Sequence, residues 1–147
     1  MSYTANADLL SLMSPRTLTQ LTSDDPLATE PDWAVVGEAR AYADAQVDAR
    51  LRQRYALPLT QAPRELRDWA LALARRWLYE RRLDGGPLPE IVRDAAQEAL
   101  HALDAIRDGK LSLATTSNGQ ETPVPDPGRL QVAAPPRLFD RATLDAY

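Results

Sequence analysis

Apolar residues recur along the first two thirds of this chain at intervals of three and four, the spacing that places them on one face of a helix. The clearest run is Leu66, Trp69, Ala70, Leu73, Ala74, Trp77 and Leu78, which predicts a helix from about Pro63 to Leu83. Pro63 suits a first helical position, and Gly85-Gly86 stops the helix at the far end. Before it, Val35, Val36, Ala39, Ala43, Val47, Leu51 and Tyr55 step mostly by four and predict a helix over about Asp32–Tyr55. After it, Ile91, Ala95, Ala99, Leu103 and Ile106 predict an inward stripe on a third helix over about Pro89–Asp108, closed by Gly109. Two short helices precede these: one capped by Thr4 and running to about Met13, and one opened by the cap-plus-proline pair Ser14-Pro15 and ending near Leu21. "TSDDPLATEP" between them and the first long helix reads as loop.

Three helices of about 20 residues, each ~30 Å long, joined by short connectors, pack as antiparallel neighbours. The pattern therefore predicts an all-α fold: an antiparallel bundle of three long helices with short N-terminal helices packed on it. Between the first two long helices lies "RYALPL", residues 54–59. Pro58 pushes Leu57 into extended geometry, and Leu57 and Leu59 can pin the turn onto both helix ends, making Arg54, Tyr55, Leu57, Pro58 and Leu59 a structural corner.

The pattern changes near residue 110. Pro123, Pro125, Pro127, Pro135 and Pro136 crowd the remainder, which predicts a helical body over 1–110 and an extended C-terminal arm over 111–147. The arm is too polar and proline-rich to form a core, yet it closes on "RLFDRATLDAY". Leu138, Phe139, Leu144 and Tyr147 are exposed there unless something covers them, the composition of a segment that orders on a partner.

Composition narrows the function. Among 147 residues, 44% are hydrophobic and 26% charged, as in ordinary soluble globular domains. The net charge of −4 argues against a protein that coats nucleic acid. No apolar run approaches the ~18 residues of a membrane span, and "MSYTANADLL" has no signal-peptide pattern. Cysteine is absent, and His101, outside the inward stripe, is the single histidine, so no thiolate or histidine-rich metal site and no histidine-based triad is in view. Arg75, Arg76, Arg81 and Arg82 form two pairs that could meet phosphates, but they read better as solvated residues flanking the Leu/Trp stripe, some paired with Glu80 or Asp84. Asp44 and Asp48, four apart, read as a solvated face beside Arg40 or Arg52. Asp84-Gly85-Gly86 is too short to cradle a phosphate.

Several stretches fall in a familiar order: "YTANADLL", "QLTSDD", "ARAYADAQVDARLRQRYALPL", "LHALDAIRDGKLSL" and the ending "PPRLFDRATLDAY". With these the chain resembles the head–tail connector (adaptor) proteins of Mu-like phages and prophages. The resemblance covers nearly the whole chain, most specifically Ala41–Leu59 and then Gly109–Leu113, and its motifs are structural rather than catalytic. It implies a virion protein of the phage neck, made in the host cytoplasm, without enzymatic activity or cofactor. About twelve copies would form a ring beneath the portal, extend the DNA channel and present a platform to a tail-side neck or tail terminator protein. Packaged DNA would pass through without sequence-specific binding, past an acidic lining that repels phosphate. Arg137, Leu138, Phe139, Arg141, Leu144 and Tyr147 would dock on the portal or on a neighbouring subunit. The alternatives are another head–tail completion ring, such as a tail terminator or stopper, and a small helical DNA-binding protein resting on the arginine pairs.

Overall fold

Local chemistry sets most helix boundaries. In the computed structural model, which describes residues 2–59, 62–82 and 86–113, the first helix, α1, spans Asn6–Leu12. It starts one residue later than a Thr4 cap would place it. Ala5 occupies the cap position, and Asp8 reaches back to accept the Ala5 N–H at 2.7 Å. Thr4 is instead buried, with its carbonyl and hydroxyl both accepting from Arg40. The second helix, α2, spans Pro15–Thr22, and the Ser14 hydroxyl accepts the Thr17 N–H at 3.1 Å, as the cap-plus-proline pair predicts.

The long helices are α3, Trp33–Leu51; α4, Arg64–Arg82; and α5, Glu90–Arg107. Asp32 caps α3 by accepting from Ala34 N at 2.9 Å and Val35 N at 3.4 Å. Its own N–H donates to the hydroxyl of fully buried Thr22, which fixes the end of α2 to the start of α3. α3 stops four residues short of Tyr55. The N–H groups of Arg54 and Tyr55 both fold back to the Leu51 carbonyl at 2.8 Å, closing the helix in a tight turn.

α4 is the centre of the fold, packing against α3 and α5 along its length and touching α1 and α2. Arg50, near the end of α3, binds Asp104, near the end of α5, at 2.9 Å. Arg81 and Arg82, at the end of α4, reach back to the loop before α3. α3 and α5 therefore run together, and α4 runs opposite to both.

One core joins Val36, Ala39, Ala43, Val47 and Leu51 of α3 to Leu66, Ala70, Leu73, Ala74 and Leu78 of α4 and to Ala96, Ala99, Leu103 and Ile106 of α5, with Leu9 and Leu18 from the short helices. Small residues facing one another let helix axes approach closely, and the leucines fill the space between. The two tryptophans of the α4 stripe, Trp69 and Trp77, sit half-buried at the edge of this core rather than inside it.

On α5 the inward register differs at its start: Ile91 is 70% exposed and Ala95 is exposed, while Val92 and Ala96 are buried. Counting back from Ala99 by three instead of four rotates the first turns by about 100°, and both steps serve a helical face. Among the described residues the secondary structure is entirely helical, and no helix is long and apolar enough to cross a membrane.

Candidate functional site

The "RYALPL" corner and the segment after α5 meet at one end of the bundle. α5 ends with the Gly109 N–H bonded to the Ile106 carbonyl at 3.0 Å and the Lys110 N–H bonded to the Ala105 carbonyl at 2.8 Å. This paired closure needs a left-handed residue, and Gly109 supplies it with φ of 74°. Arg54 lies over that glycine. Its Nε donates to the Arg107 carbonyl at 3.1 Å, satisfying one of the acceptors that the end of α5 leaves open. A Cβ at residue 109 would run into the Arg54 guanidinium.

Tyr55 holds the next stretch: its hydroxyl accepts the Leu113 N–H at 3.0 Å, and Leu113 is buried. Leu59 is buried and Leu57 is half-buried, both against the core, with the Leu57–Pro58 peptide bond cis. The structure adds a second task that spacing alone did not reveal: Arg54 and Tyr55 hold the end of α5 and Leu113 against the corner. Arg137, Leu138, Phe139, Arg141, Leu144 and Tyr147 lie outside the described residues.

The N-terminus is held against α3 by a second lock. Arg40 donates to Asn6 Oδ1 and Ser2 Oγ, each at 2.8 Å, and to the Thr4 carbonyl. Asp44 accepts the Tyr3 N–H at 3.1 Å, and Asp48 accepts the Tyr3 hydroxyl proton. Asp44 and Asp48 are thus half-buried anchors rather than a solvated face. Burial raises the Asp44 carboxyl above the usual range, more than the hydrogen bonds from Tyr3 and Ser2 lower it. Burial and the carboxylate of Asp48 likewise push the Tyr3 phenol upward, so it stays a donor. Asp8 is held below the usual carboxylate range by its hydrogen bond from Arg67 and then by the Ala5 N–H. The helical spacing of Asp44 and Asp48 placed them together correctly, but the partner forty residues upstream carries no local signal.

The arginine pairs of α4 divide. Arg81 bonds the Leu21 carbonyl at 3.4 Å and Asp24 at 3.1 Å, and Arg82 bonds the Ser23 carbonyl. Both therefore hold the "QLTSDD" loop. Arg76 pairs with Glu80 one turn on, at 2.7 Å, as expected of a flanking residue. Arg75 is half-buried, with its guanidinium 5.8 Å from the centre of the Tyr79 ring. His101 is exposed on α5. Among the described residues, no three acidic or histidine side chains come together as metal ligands.

The arrangement is one of interlocks. "YTANADLL" closes on "ARAYADAQVDAR", "QLTSDD" on the end of α4, and "RYALPL" on "GKLSL", so each of these stretches is half of a contact pair. Residues 3–132 match the family described as Bacteriophage Mu, Gp36. Gene product J of Escherichia phage Mu is similar to this chain, with 29% identity over 141 residues that cover 96% of each protein.

Proposed function

Because the chain belongs to the Bacteriophage Mu Gp36 family, we propose that it is a head–tail adaptor of the phage neck, acting by assembly and not by catalysis. In this reading copies of the helical body form a ring, of about twelve by resemblance, beneath the portal. The ring continues the DNA channel and offers its far side to a tail-side neck or terminator protein. Packaged DNA passes through unread, and the net charge of −4 suits a lining that lets phosphate slide.

The observation that carries the reading is the exit joint. Arg54 and Tyr55 anchor the end of α5, Gly109 and Leu113 at one place on the helical body. That is useful where residues 114–147 must reach a neighbour at a set position. Arg137, Leu138, Phe139, Arg141, Leu144 and Tyr147 then supply cationic and apolar anchors for the portal or the adjacent subunit. The DNA-binding alternative loses its strongest residues, since Arg81 and Arg82 are engaged within the body.

Light scattering of the full chain with the portal protein of the same phage tests the reading. The expected result is a portal-sized assembly with a full ring added, and loss of that assembly when residues 114–147 are deleted. Failure of the full chain to join the portal at any concentration overturns the adaptor role. Equal joining without the arm removes the arm as its anchor.

A further inference from the structure

Away from the exit joint, a groove of about 250 Å³ opens between the end of α1, the middle of α4 and the first turns of α5. Its walls are apolar: Leu12, Leu71, Ala72, Val92 and Ala95. Leu12 and Ala95 are exposed, and so is Ile91 beside Val92, so this face leaves apolar surface in water. Two charged residues also line the groove. Asp68 is paired with Arg64 one turn before it, whereas Arg75 has the Tyr79 ring beside it but no acidic partner among the described residues. A positive charge without a counter-charge therefore lies next to the apolar walls.

The loop between α2 and α3 carries the converse features. Leu27 stands 85% exposed, more than any other large apolar side chain among the described residues. It is held in that position. Asp25 Oδ1 accepts the Leu27 N–H at 2.9 Å, and the Asp25 carbonyl accepts the Ala28 N–H at 3.2 Å. Arg82 grips the Ser23 carbonyl, Arg81 grips Asp24, and the Asp32 N–H ties the far end of the loop to Thr22. A side chain displayed on a pinned turn has little freedom left to lose on docking. Residues 23–32 contain Asp24, Asp25, Glu30 and Asp32 and no basic residue. Arg81 and Arg82 neutralise Asp24, while Asp25 and Glu30 have no cationic partner among the described residues.

We infer that the groove is the seat of the Leu27 loop of a second copy of this chain. A cavity of ~150 Å³ holds one benzene ring, so the groove is large enough for a leucine side chain. The acidic loop is attracted to the uncompensated Arg75, so knob and groove agree in charge as well as in size. Within one chain the two are apart, since Leu27 stays in water. Each copy thus offers one half of the contact and receives the other. One leucine and its flanking charges bury little against the ~1,200 Å² of a stable interface. The contact therefore joins copies that are already concentrated, as they are side by side in an assembly. The ring proposed above needs a contact between subunits, and this is one, but it stands on the two surfaces alone and does not involve the portal.

The chain has no cysteine, so single thiols can be placed at will. Thr29→Cys lies two residues past Leu27, Ala95→Cys lies in the groove wall, and His101→Cys lies on another face of α5; all three positions are exposed, so the variants should keep the helical circular dichroism of the parent. Full-length single-cysteine chains are mixed in pairs at high micromolar concentration with a short bismaleimide, and the linked dimers are identified by mass. The Thr29→Cys/Ala95→Cys dimer should form about tenfold faster than the Thr29→Cys/His101→Cys dimer, the order that burial of one leucine gives. Leu27→Asp in the Thr29→Cys chain should remove that excess, and at so exposed a position it leaves the fold intact. Equal rates for the two pairs overturn the inference, as does an excess that survives Leu27→Asp. Linking of Ala95→Cys chains to one another faster than to Thr29→Cys chains means that groove meets groove and overturns it too. Each of these results leaves the portal experiment free to succeed or fail by itself.

Discussion

Gly109→Ala tests the exit joint where its physics is most specific. An alanine at φ of 74° costs about 1–2 kcal/mol relative to glycine, because its Cβ crowds the backbone in the left-handed region. The same Cβ meets the Arg54 guanidinium, which must move and give up its bond to the Arg107 carbonyl, worth about 0.5–1 kcal/mol for a partly exposed arginine. The sum is a loss of about 1.5–3 kcal/mol. For a body of this size each kcal/mol moves the unfolding midpoint by about 3–5 °C, so Tm should fall by about 5–15 °C. Gly37→Ala is the internal control. Gly37 lies inside α3 with open space where a Cβ would go, and alanine is favoured there by about 1 kcal/mol. Its Tm should rise by about 3–5 °C. The assay is thermal unfolding followed by far-UV circular dichroism. In an Arg54→Ala background the cost of Gly109→Ala should shrink to the backbone part alone. A Gly109→Ala protein as stable as its parent, or two glycine variants that shift together, would refute the reasoning.

Leu59→Ala should cost about 2–4 kcal/mol by chemical denaturation, because Leu59 is buried at the corner, whereas half-buried Leu57→Ala should cost about half of that. Asp8→Asn should destabilise at neutral pH and flatten the acid limb of the stability curve. The folded Asp8 carboxyl sits below its unfolded value near 3.8, so its contribution is present above that value and is lost as pH falls through the folded one. Urea midpoints measured from pH 2 to 7 check this, and an acid limb unchanged in Asp8→Asn contradicts it. Tyr3→Phe should cost about 0.5–1.5 kcal/mol and speed hydrogen exchange at residues 2–6, since it removes the bond to Asp48. Fluorescence anisotropy with duplex DNA should show no binding that steepens as salt is lowered; micromolar, salt-sensitive affinity lost in Arg75→Ala/Arg76→Ala would favour the DNA-binding alternative.

The all-α bundle was legible because each long helix carries its own periodic signal, strongest on α4, where Leu66, Ala70, Leu73, Ala74 and Leu78 are buried as spaced. Ends with a local chemical signature, Ser14-Pro15 and Gly109, were equally readable. What periodicity left open was decided by tertiary contact. The register of the first turns of α5 depends on which of two adjacent faces meets α4, and steps of three and four fit the spacing equally well. Thr4 has the chemistry of a cap but is claimed by Arg40. Asp44 and Asp48 look solvated until Tyr3 is placed on them. The corner was visible as a corner, but its grip on Gly109 and Leu113 joins residues more than fifty positions apart, and only the fold brings them together.

Electron cryo-microscopy of mature particles from the phage encoding this chain tests the central claim most directly. The account predicts a closed ring of density immediately beneath the portal into which the 2–113 body fits once per subunit, with the end of α5 and Leu113 directed toward the portal or the neighbouring copy. Density for this body in the capsid shell or along the tail tube, and another protein in the ring beneath the portal, would contradict it.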